Sequence, residues 1–462
     1  MDEIELKLEL SEAAAKTLEA TDLLPGSPKG IEQTSIYFDT PDRALAAAGV
    51  SLRIRQAKGK RVQTVKQGNG SAAGLFARPE QEKFLDSALP DLDDTLLPAL
   101  LGTRAQRIVP VFTVRATRRT WMLDEEEARI ELVIDRGAVS AADRSTPVSE
   151  CELELKSGPP EALFRLAQRL NSIAPVKLGI LTKSDRGYRL LEAARVSHKA
   201  EAVALDGSLS AAQAFQSIAL SCIRQFRLNE DLVLVTRASE PLHQARVALR
   251  RLRSAFSIYQ PMLGENGAAL REELRWLARE LGHARDLDVL LERAAESPLF
   301  EQIRKGREAA YDRVSEALGS DRTRRLMLDL AEWLHGGPWL TDPDGEMVRS
   351  MPARDFASSA LSRYRRKIKK AGRGLITLEE EARHELRKDA KKLRYASEFF
   401  TSLFDTDELR KRRKQFGTAL EDFQEHLGAL NDLSAAPEVL DHLGITPQAR
   451  GGLLRKESRG GS

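Results

Sequence analysis

The hydrophobic period of this 462-residue chain changes once, at about Leu191. Up to that point apolar and charged residues alternate, as in the opening run from Glu3 to Leu10, and a period of two predicts β-strands. Beyond it, Ala, Leu, Arg and Glu dominate and apolar residues recur every three or four positions, which predicts amphipathic helices. One uniform fold cannot accommodate both periods. We therefore predict an α+β protein, with antiparallel strands first and an all-α part second.

Turn signals divide the first part into several short strands. Further alternating runs occupy residues 51–55, 62–66, 130–135 and 150–156. Gly- or Pro-containing turns separate them at residues 68–74, at Gly137 and at residues 158–160. Two helices are predicted among the strands, at residues 11–20 with Ser11 as the N-cap, and at residues 160–173.

The change of period also predicts the domain organisation. We expect a linker at residues 200–210, domains at residues 1–197 and 206–445, and a frayed, Gly-rich tail at residues 451–462. The two cysteines exclude a disulfide framework, and the lack of any run of 18 or more apolar residues predicts no membrane span. The opening is acidic and alternating, unlike a secretory signal, so a cytoplasmic location is expected.

Several predicted strands concentrate charge on one face, because residues two apart in a strand share a face. These sets are Glu3, Glu5 and Lys7; Arg53 and Arg55; Thr64 and Lys66; Glu131 and Asp135; and Glu150, Glu152, Glu154 and Lys156. One interpretation is a sheet whose solvent-exposed face is charged. The other is a closed barrel with a charged interior and an apolar outside covered by helices, in which buried ions need counter-charges or ligands. The alternation alone leaves both open.

Histidine is absent from the first 197 residues, whereas all seven histidines lie at or beyond His198. Without histidine, and with Cys151 as the one cysteine of that part, a tetrahedral zinc site is disfavoured. Oxygen ligands suit Mg²⁺ or Mn²⁺, and Lys and Arg suit phosphate oxygens. Acidic and basic clusters together predict metal-assisted attack of water on a phosphorylated substrate. The sequence has no G-x-x-x-x-G-K-[ST] loop, which excludes a P-loop enzyme.

A series of motifs in the first part resembles the CYTH, or triphosphate tunnel metalloenzyme, superfamily. It begins with Glu3-Ile-Glu5-Leu-Lys7, which is similar to the family's E-x-E-x-K signature, and covers about residues 1–195. The other motifs, in order, are Tyr37-Phe-Asp39-Thr40-Pro41, Leu52-Arg53-Ile-Arg55, Thr64-Val-Lys66, Arg78-Pro-Glu80, Arg118 before Trp121, Glu131 to Asp135-x-Gly137, Glu150-x-Glu152-x-Glu154, and Lys183 before Gly187-Tyr188. The resemblance implies an eight-stranded antiparallel β tunnel, with flanking helices, that binds triphosphate and a divalent metal.

The same resemblance implies roles for individual residues. Metal ligands are expected at Glu3, Glu5, Glu131, Asp135, Glu152 and Glu154. Substrate phosphates are expected to contact Lys7, Arg53, Arg55, Lys66, Arg118 and Lys183. Lys7 and Tyr37 are the candidate catalytic residues, with Tyr37 near the attacking water. Glu80 and Glu150 are expected to support the site, and Tyr188 to pack at the barrel mouth.

The helical part contains an internal repeat of basic residues. Residues 243–253 match residues 384–394 at an offset of 141, and residues 281–287 match residues 427–433 at an offset of 146. At about 100° per residue, one sector of each helix collects His243, Arg246, Arg250 and Arg253 in the first copy and His384, Arg387, Lys391 and Arg394 in the second. We expect these faces to lack acidic partners and to bind an anion; a solvated basic face is the alternative. Further basic runs occupy residues 363–370 and 410–414.

This repeat resembles the CHAD domain, a duplicated helical module associated with inorganic polyphosphate, over about residues 206–445. The resemblance implies that the two basic faces bind polyphosphate. Nucleic acid competes for any basic surface, but aromatic residues make up only 5% of the chain and offer few platforms for base stacking. His283 departs from the repeat, because the second copy has Ala429 there, and it is given no role.

Together the two resemblances imply a metal-dependent hydrolase that converts inorganic triphosphate to pyrophosphate and phosphate, with polyphosphate as the ligand of the helical part. Two alternatives stay open. The tunnel can take thiamine triphosphate or a nucleoside triphosphate instead, or the chain can be a polyphosphate-binding scaffold without catalysis. The family's motif residues Glu3, Glu5, Lys7, Glu152 and Glu154 are all present, which argues against a loss of catalysis.

Overall fold

The structure, a computed structural model, describes residues 3–404 except 27, 69–72, 94–95 and 373–378; the side chains of residues 78 and 380 are also not described. The second copy of the downstream motif at 427–433 and the basic run at 410–414 therefore lie outside the described residues. The chain divides into two compact units, Met1–Arg195 with Arg324–Gly336, and Val196–Thr323 with Gly337–Ser462. In the described part of the chain, every helix is too short or too polar to cross a bilayer.

The first unit is built on one antiparallel sheet, as predicted. Within the described residues its strands are β1 Glu3–Leu10, β2 Ile31–Asp39, β3 Val50–Ala57, β4 Lys60–Gln67, β5 Leu75–Arg78, β6 Glu80–Leu85, β7 Val109–Glu125, β8 Ala128–Ala141, β9 Arg144–Ser157 and β10 Val176–Leu178. Its helices are α1 Glu12–Glu19, α2 Ala44–Ala47, α3 Leu97–Leu101, α4 Glu161–Ile173 and α5 Lys183–Leu190. The two predicted helices correspond to α1 and α4, and the Ser11 hydroxyl caps α1 by accepting a hydrogen bond from the Ala14 amide at 3.0 Å.

The sheet curls until its two ends meet. Neighbouring strands follow the order β10-β1-β9-β8-β7-β2-β3-β4-β6, and β5 pairs with β1. Strands β5 and β6 are separated only by Pro79, a residue without an N–H that suits a bend in a strand. Because β5 pairs with β1 and β6 pairs with β4, this bent segment joins both ends of the sheet. The bent segment of β5 and β6 fills one position of the ring, and β10 pairs only with the end of β1. The ring therefore has eight strand positions.

The two faces of the ring differ as the alternation predicts. On β1, Leu6 and Leu8 are fully buried, whereas the alternate residues Glu5 and Lys7 line an interior cavity. Helix α4 packs against β1 and β9 and covers their apolar side. The structure is therefore a ring with a charged interior rather than an open sheet with one solvent-exposed face.

The second unit confirms the predicted helical part. Residues 191–209 form neither helix nor strand, consistent with a linker at 200–210. The helices that follow are α6 Ala211–Thr236, α7 Ser239–Ile258, α8 Gln260–Leu263, α9 Ala268–Arg293, α10 Phe300–Gly319, α11 Asp321–Gly336, α12 Glu346–Arg349, α13 Ala353–Gly372 and α14 Glu380–Phe399. The two basic faces lie on α7 and α14, which pack against each other, and α7 also packs on α6 and α9.

Residues Arg324–Gly336 of α11 belong to the first unit although they come late in the chain. The Arg324 guanidinium donates to the Asn171 side-chain oxygen at 2.8 Å, and the Gln168 amide donates to the Asp329 carboxylate at 2.6 Å. Both partners lie on α4. No feature of the sequence pointed to this helix as part of the first unit.

Candidate active site

The ring encloses a cavity of about 380 Å³ whose wall is mostly charged. Seven carboxylates line it: Glu3, Glu5, Glu80, Glu82, Glu131, Glu152 and Glu154. Seven cations line it as well: Lys7, Arg53, Arg55, Lys66, Arg118, Lys156 and Lys183. Among the described residues the formal charges of the wall therefore cancel. An anion with several negative charges needs cations of its own to bind there, since charges in a poorly solvated cavity must be compensated.

The structure brings the predicted tunnel residues together on this wall, with one exception. Asp135 is 1% exposed and lies behind the wall, where it contacts Arg118 and Lys183. Sequence reasoning placed Lys156 on the charged strand face but gave it no role, and it missed Ser51, Glu82, Val133, Thr182 and Ser184 as lining residues. A period-two signal was available for Ser51 and Glu82, which share strand faces with Arg53 and Glu80 respectively. The individual roles given to the lining residues stay predictions.

The pairing of strands β1 and β9 brings oppositely charged residues of the wall side by side. Their register places Lys7 opposite Glu152 and Glu5 opposite Glu154. The Lys7 ammonium contacts the Glu152 carboxylate and lies 3.4 Å from a Glu5 oxygen. Although burial opposes the charge, Glu152 and Glu5 raise the pKa of Lys7 above its usual value. Lys7 is therefore a fixed positive charge and not a base at neutral pH.

Helix α5 brings a second lysine to the wall. Its capping box, formed by Thr182 and Asp185, starts the helix at Lys183. The Lys183 ammonium lies 2.5 Å from Glu150, 2.8 Å from Asp135 and 3.0 Å from Glu152. Burial opposes its charge, but these carboxylates raise its pKa well above the usual value.

The carboxylates of Asp135, Glu150 and Glu152 approach within 4.8 Å of one another, a grouping that could hold a metal ion. Lys183 already contacts all three. Arg118 adds a bidentate contact to Asp135, at 2.9 and 2.5 Å, and a hydrogen bond to Glu152 at 3.0 Å. Burial raises the pKa of Glu152, yet the surrounding cations hold it well below its usual range. The negative charge of this trio is therefore largely compensated by protein cations.

A second acidic group on the wall is less well compensated. Burial and the neighbouring Glu80 raise the pKa of Glu3, despite its contact with Lys66 at 2.6 Å. Burial also raises the pKa of Glu154, and Glu3 and Glu131 add to the effect, despite an ion pair with Lys156. Carboxylates that repel one another in this way favour a bound cation. Their oxygen-only donor set fits Mg²⁺ or Mn²⁺.

Arg53 differs from the other cations of the wall. It forms no ion pair with any residue that the structure describes, and its Nε is buried without a hydrogen-bond partner. Arg55, two residues along β3, donates instead to Glu82 at 3.2 Å. Burial opposes the charge of Arg53, but a hydrogen bond to Tyr37 and the nearby Glu80 raise its pKa above the usual value. Because Arg53 has no ion pair among the described residues and its Nε lacks a partner, a bound anion gains strongly at this position.

Tyr37 is held beside the cavity by an aromatic stack. Its ring stacks on Phe112 with centroids 4.6 Å apart, and Phe112 meets the edge of Tyr188 at 5.1 Å. The Tyr188 hydroxyl donates to the buried Asp39 carboxylate at 2.8 Å. Gly187 allows this packing, since a Cβ there would lie 2.2 Å from the Phe112 ring. Tyr188 is thus a packing residue, as expected.

Profiles of two protein families match the chain, the CYTH domain over residues 1–188 and the CHAD domain over residues 217–441. The protein is a CYTH–CHAD protein. The closed strand ring with its charged wall is the CYTH domain, and the basic helices belong to the CHAD domain.

Several proteins of known sequence or structure are similar to parts of this chain. An inorganic triphosphatase of Haemophilus influenzae is 30% identical over 202 residues, which cover 41% of this chain and 55% of that protein, so the match spans about half of the relative's length. An uncharacterized protein of Mycobacterium tuberculosis is 26% identical over 442 residues and covers 85% of this chain and 79% of that protein. The crystal structure of the CHAD domain from the plant Ricinus communis, 30% identical, covers 57% of this chain and 91% of that one with a TM-score of 0.49.

The first basic face of the CHAD domain lies where the wheel predicts. Near the middle of α7 most residues are buried, and His243, Arg246, Arg250 and Arg253 are among the few that are partly exposed. Arg246 packs over Gly282 of α9, and one of its terminal nitrogens is buried without a hydrogen-bond partner.

The first face extends onto neighbouring helices. Arg250 donates to the Tyr395 hydroxyl on α14 at 2.8 Å. Arg285 of α9 lies close enough to lower the pKa of His243. Sequence reasoning noticed the segment around Arg285 but did not place it in the basic face.

The second basic face departs from expectation. Helix α14 leaves His384 exposed and Arg387, Lys391 and Arg394 partly exposed. The expected lack of acidic partners is wrong at Arg394, because Glu398 follows it by one turn and lies 3.5 Å away. The binding roles of all eight residues stay predictions.

Proposed function

We propose that this CYTH–CHAD protein is a metal-dependent inorganic triphosphatase whose CHAD domain binds polyphosphate. The observation that carries the proposal is the cavity wall, which balances its own charges but leaves Arg53 without an ion pair among the described residues. Such a wall suits a compact polyanion that arrives with its cations. Tyr37 is the one aromatic residue on the wall, among the described residues, so a nucleobase finds little to stack on.

In the proposed reaction, water attacks a terminal phosphorus atom of triphosphate, the P–O bond to the bridging oxygen breaks, and pyrophosphate and phosphate leave. Arg53 and Arg55 orient the phosphates, and Lys7 holds a fixed positive charge near the reacting group. Glu3, Glu5, Glu131 and Glu154 are the residues that would hold Mg²⁺ or Mn²⁺. A divalent cation supplies charge neutralisation and lowers the pKa of water.

Glu5→Ala should lower triphosphate hydrolysis by the full-length protein at least a hundredfold, because it removes one of the proposed metal ligands. Phosphate release is measured with triphosphate, ATP, thiamine triphosphate and long-chain polyphosphate, with and without Mg²⁺ and Mn²⁺. Glu9→Ala on the same strand is the control, since Glu9 does not line the cavity and pairs with Arg186. Polyphosphate binding should survive in both variants.

The same measurements decide between the alternatives. A preference for ATP or thiamine triphosphate over triphosphate would replace the proposed substrate. No metal-dependent release from any of the compounds would leave a binding scaffold. Loss of polyphosphate binding in the Glu5→Ala variant would contradict two separate sites.

Polyphosphate binding should strengthen as the pH falls from about 8 to about 6. Burial lowers the pKa of His243 and Arg285 lowers it further; Glu240 opposes them, and Arg250 and Arg246 add smaller lowering effects. A bound polyanion favours the imidazolium, so binding takes up a proton and the affinity rises as protons become available. Fluorescence anisotropy with labelled polyphosphate measures this slope. The His243→Gln variant should show a flatter one, and an unchanged slope would exclude His243 from the binding face.

A further inference from the structure

The basic run on α13 has no part in the proposed function so far. From Phe356 to Gly372 this helix has no carboxylate but carries Arg363, Arg365, Arg366, Lys367, Lys369 and Lys370. A basic run of this kind is often only solvated. The structure nevertheless gathers part of it around one ring on the same helix, Tyr364.

Three cations converge on Tyr364. The Arg363 guanidinium lies 5.2 Å from the ring centroid, the Lys367 ammonium 5.6 Å and the Lys392 ammonium of α14 5.9 Å. The ring itself is buried, and its hydroxyl donates to the Ser257 carbonyl at 3.2 Å. Contacts between cations and a ring are worth only about 0.5–1 kcal/mol at exposed sites, which does not explain why three like charges gather at one ring.

The charge around Tyr364 is only partly compensated. Lys392 pairs with Asp389 at 3.1 Å. Arg363 donates to the neutral Ile258 carbonyl at 2.7 Å, and Lys367 is exposed and forms no ion pair with any described residue. The three like charges share one ring as neighbour and repel one another, so an extended anion bound beside the ring gains from their combined field.

The two repeats differ at this position. Lys392 corresponds to Arg251 in the first copy. Arg251 is 4% exposed, lies over the Phe399 ring at 5.0 Å and contacts Glu398 at 3.6 Å, so it is part of the packed interior. The Lys392 ammonium lies instead beside the Tyr364 ring of α13, at 5.9 Å from its centroid. The repeat therefore provides a cation here that packing does not require.

We propose that Arg363, Lys367 and Lys392 form a separate phosphate-binding subsite around Tyr364, which holds one stretch of a linear polyphosphate chain. The subsite is distinct from the basic face of α7 and rests on the proposed binding of polyphosphate by the CHAD domain. It lies beside that face, because Tyr364 and Arg363 bond to the last turn of α7, at Ser257 and Ile258. A polymer that occupies the α7 face can extend onto it, whereas a single phosphate group cannot bridge the two.

The test compares the full-length protein with the Lys367→Ala/Lys392→Ala double variant in titrations with labelled long-chain polyphosphate across salt concentrations. The double variant should bind at least about tenfold more weakly, since it loses two charged contacts. The slope of log affinity against log salt should also decrease by about one to two, because fewer counterions are released. Triphosphate hydrolysis in the CYTH domain should be unchanged.

Lys369→Ala is the matched control. Lys369 is an exposed lysine of the same helix and falls on the side opposite Lys367. Its loss should therefore change the affinity and the salt slope only as much as the removal of any one surface charge does. Equal losses in the control and the double variant would overturn the subsite and leave polyphosphate binding intact. A wild-type protein that does not bind polyphosphate would overturn both proposals. Stronger binding of single-stranded RNA at matched phosphate concentration, lost in the double variant, would assign the surface to nucleic acid.

Discussion

Glu152→Gln is expected to destabilise the CYTH domain by about 3–5 kcal/mol and to abolish triphosphate hydrolysis. The carboxylate contacts Lys7, Arg118 and Lys183, and its side chain is only 13% exposed. The glutamine amide has the same shape but no negative charge. The three buried cations around it therefore lose one of their counter-charges. Urea unfolding of the wild type and the variant measures the difference.

The control is Glu154→Gln on the same strand. Burial and like-charged neighbours raise the pKa of Glu154, so its charge is not favoured in the folded state and its loss should be neutral or slightly stabilising. Equal destabilisation by both substitutions would contradict a specific network around Glu152.

The stability difference caused by Glu152→Gln should also depend on pH in a defined direction. The folded-state pKa of Glu152 is held below its ordinary value of 4.5. Its charge therefore contributes stability above pH 4.5, and this contribution is lost as the pH falls toward the folded-state value. Wild type and variant should become more alike in acid, and a gap that widens there would be inconsistent with the network.

Arg53→Gln should reduce kcat/KM for triphosphate by about 100- to 1,000-fold while leaving the thermal midpoint within a few degrees of wild type. Arg53 has no ion pair among the described residues, and its Nε is buried without a partner, so the folded protein loses no ion pair with it and only the hydrogen bond to Tyr37. The bound anion, in contrast, loses its least compensated cation. Steady-state kinetics measures the expected loss of kcat/KM, and a thermal melt on the same preparation measures the midpoint.

Arg55→Gln provides the comparison. Arg55 lies on the same face of β3 but donates to Glu82, and its side chain is 21% exposed. Because its charge is already shared with a carboxylate, its loss should cost less activity than the loss of Arg53. A larger effect for Arg55 would contradict the special position of Arg53.

The strand faces of the cavity could be predicted from the sequence because alternation decides which residues share a face. Glu3, Glu5 and Lys7 line the wall together for that reason. Partners across strands could not be predicted, because they depend on register; the pairing of Lys7 with Glu152 follows from the β1–β9 alignment. The same limit concealed the difference between Arg53 and Arg55, which look equivalent along one strand.

In the helical part, the wheel identified which residues share a helix face but not what lies opposite them. His243, Arg246 and Arg250 lie on one side of α7 as predicted, yet the approach of Arg285 depends on how α9 packs. The convergence on Tyr364 likewise requires α13 and α14 to lie side by side. Contacts between distant segments leave no periodic trace in a single sequence.

The assignment of Arg324–Gly336 to the first unit has a consequence for how the protein is made. A ribosome releases the strand ring and its linker before it has synthesised the helix that bonds to Gln168 and Asn171 on α4. At roughly 5–20 residues per second the delay is on the order of ten seconds. During that time the nascent N-terminal unit lacks one of its own packing elements, and a fragment cut at the linker lacks it permanently.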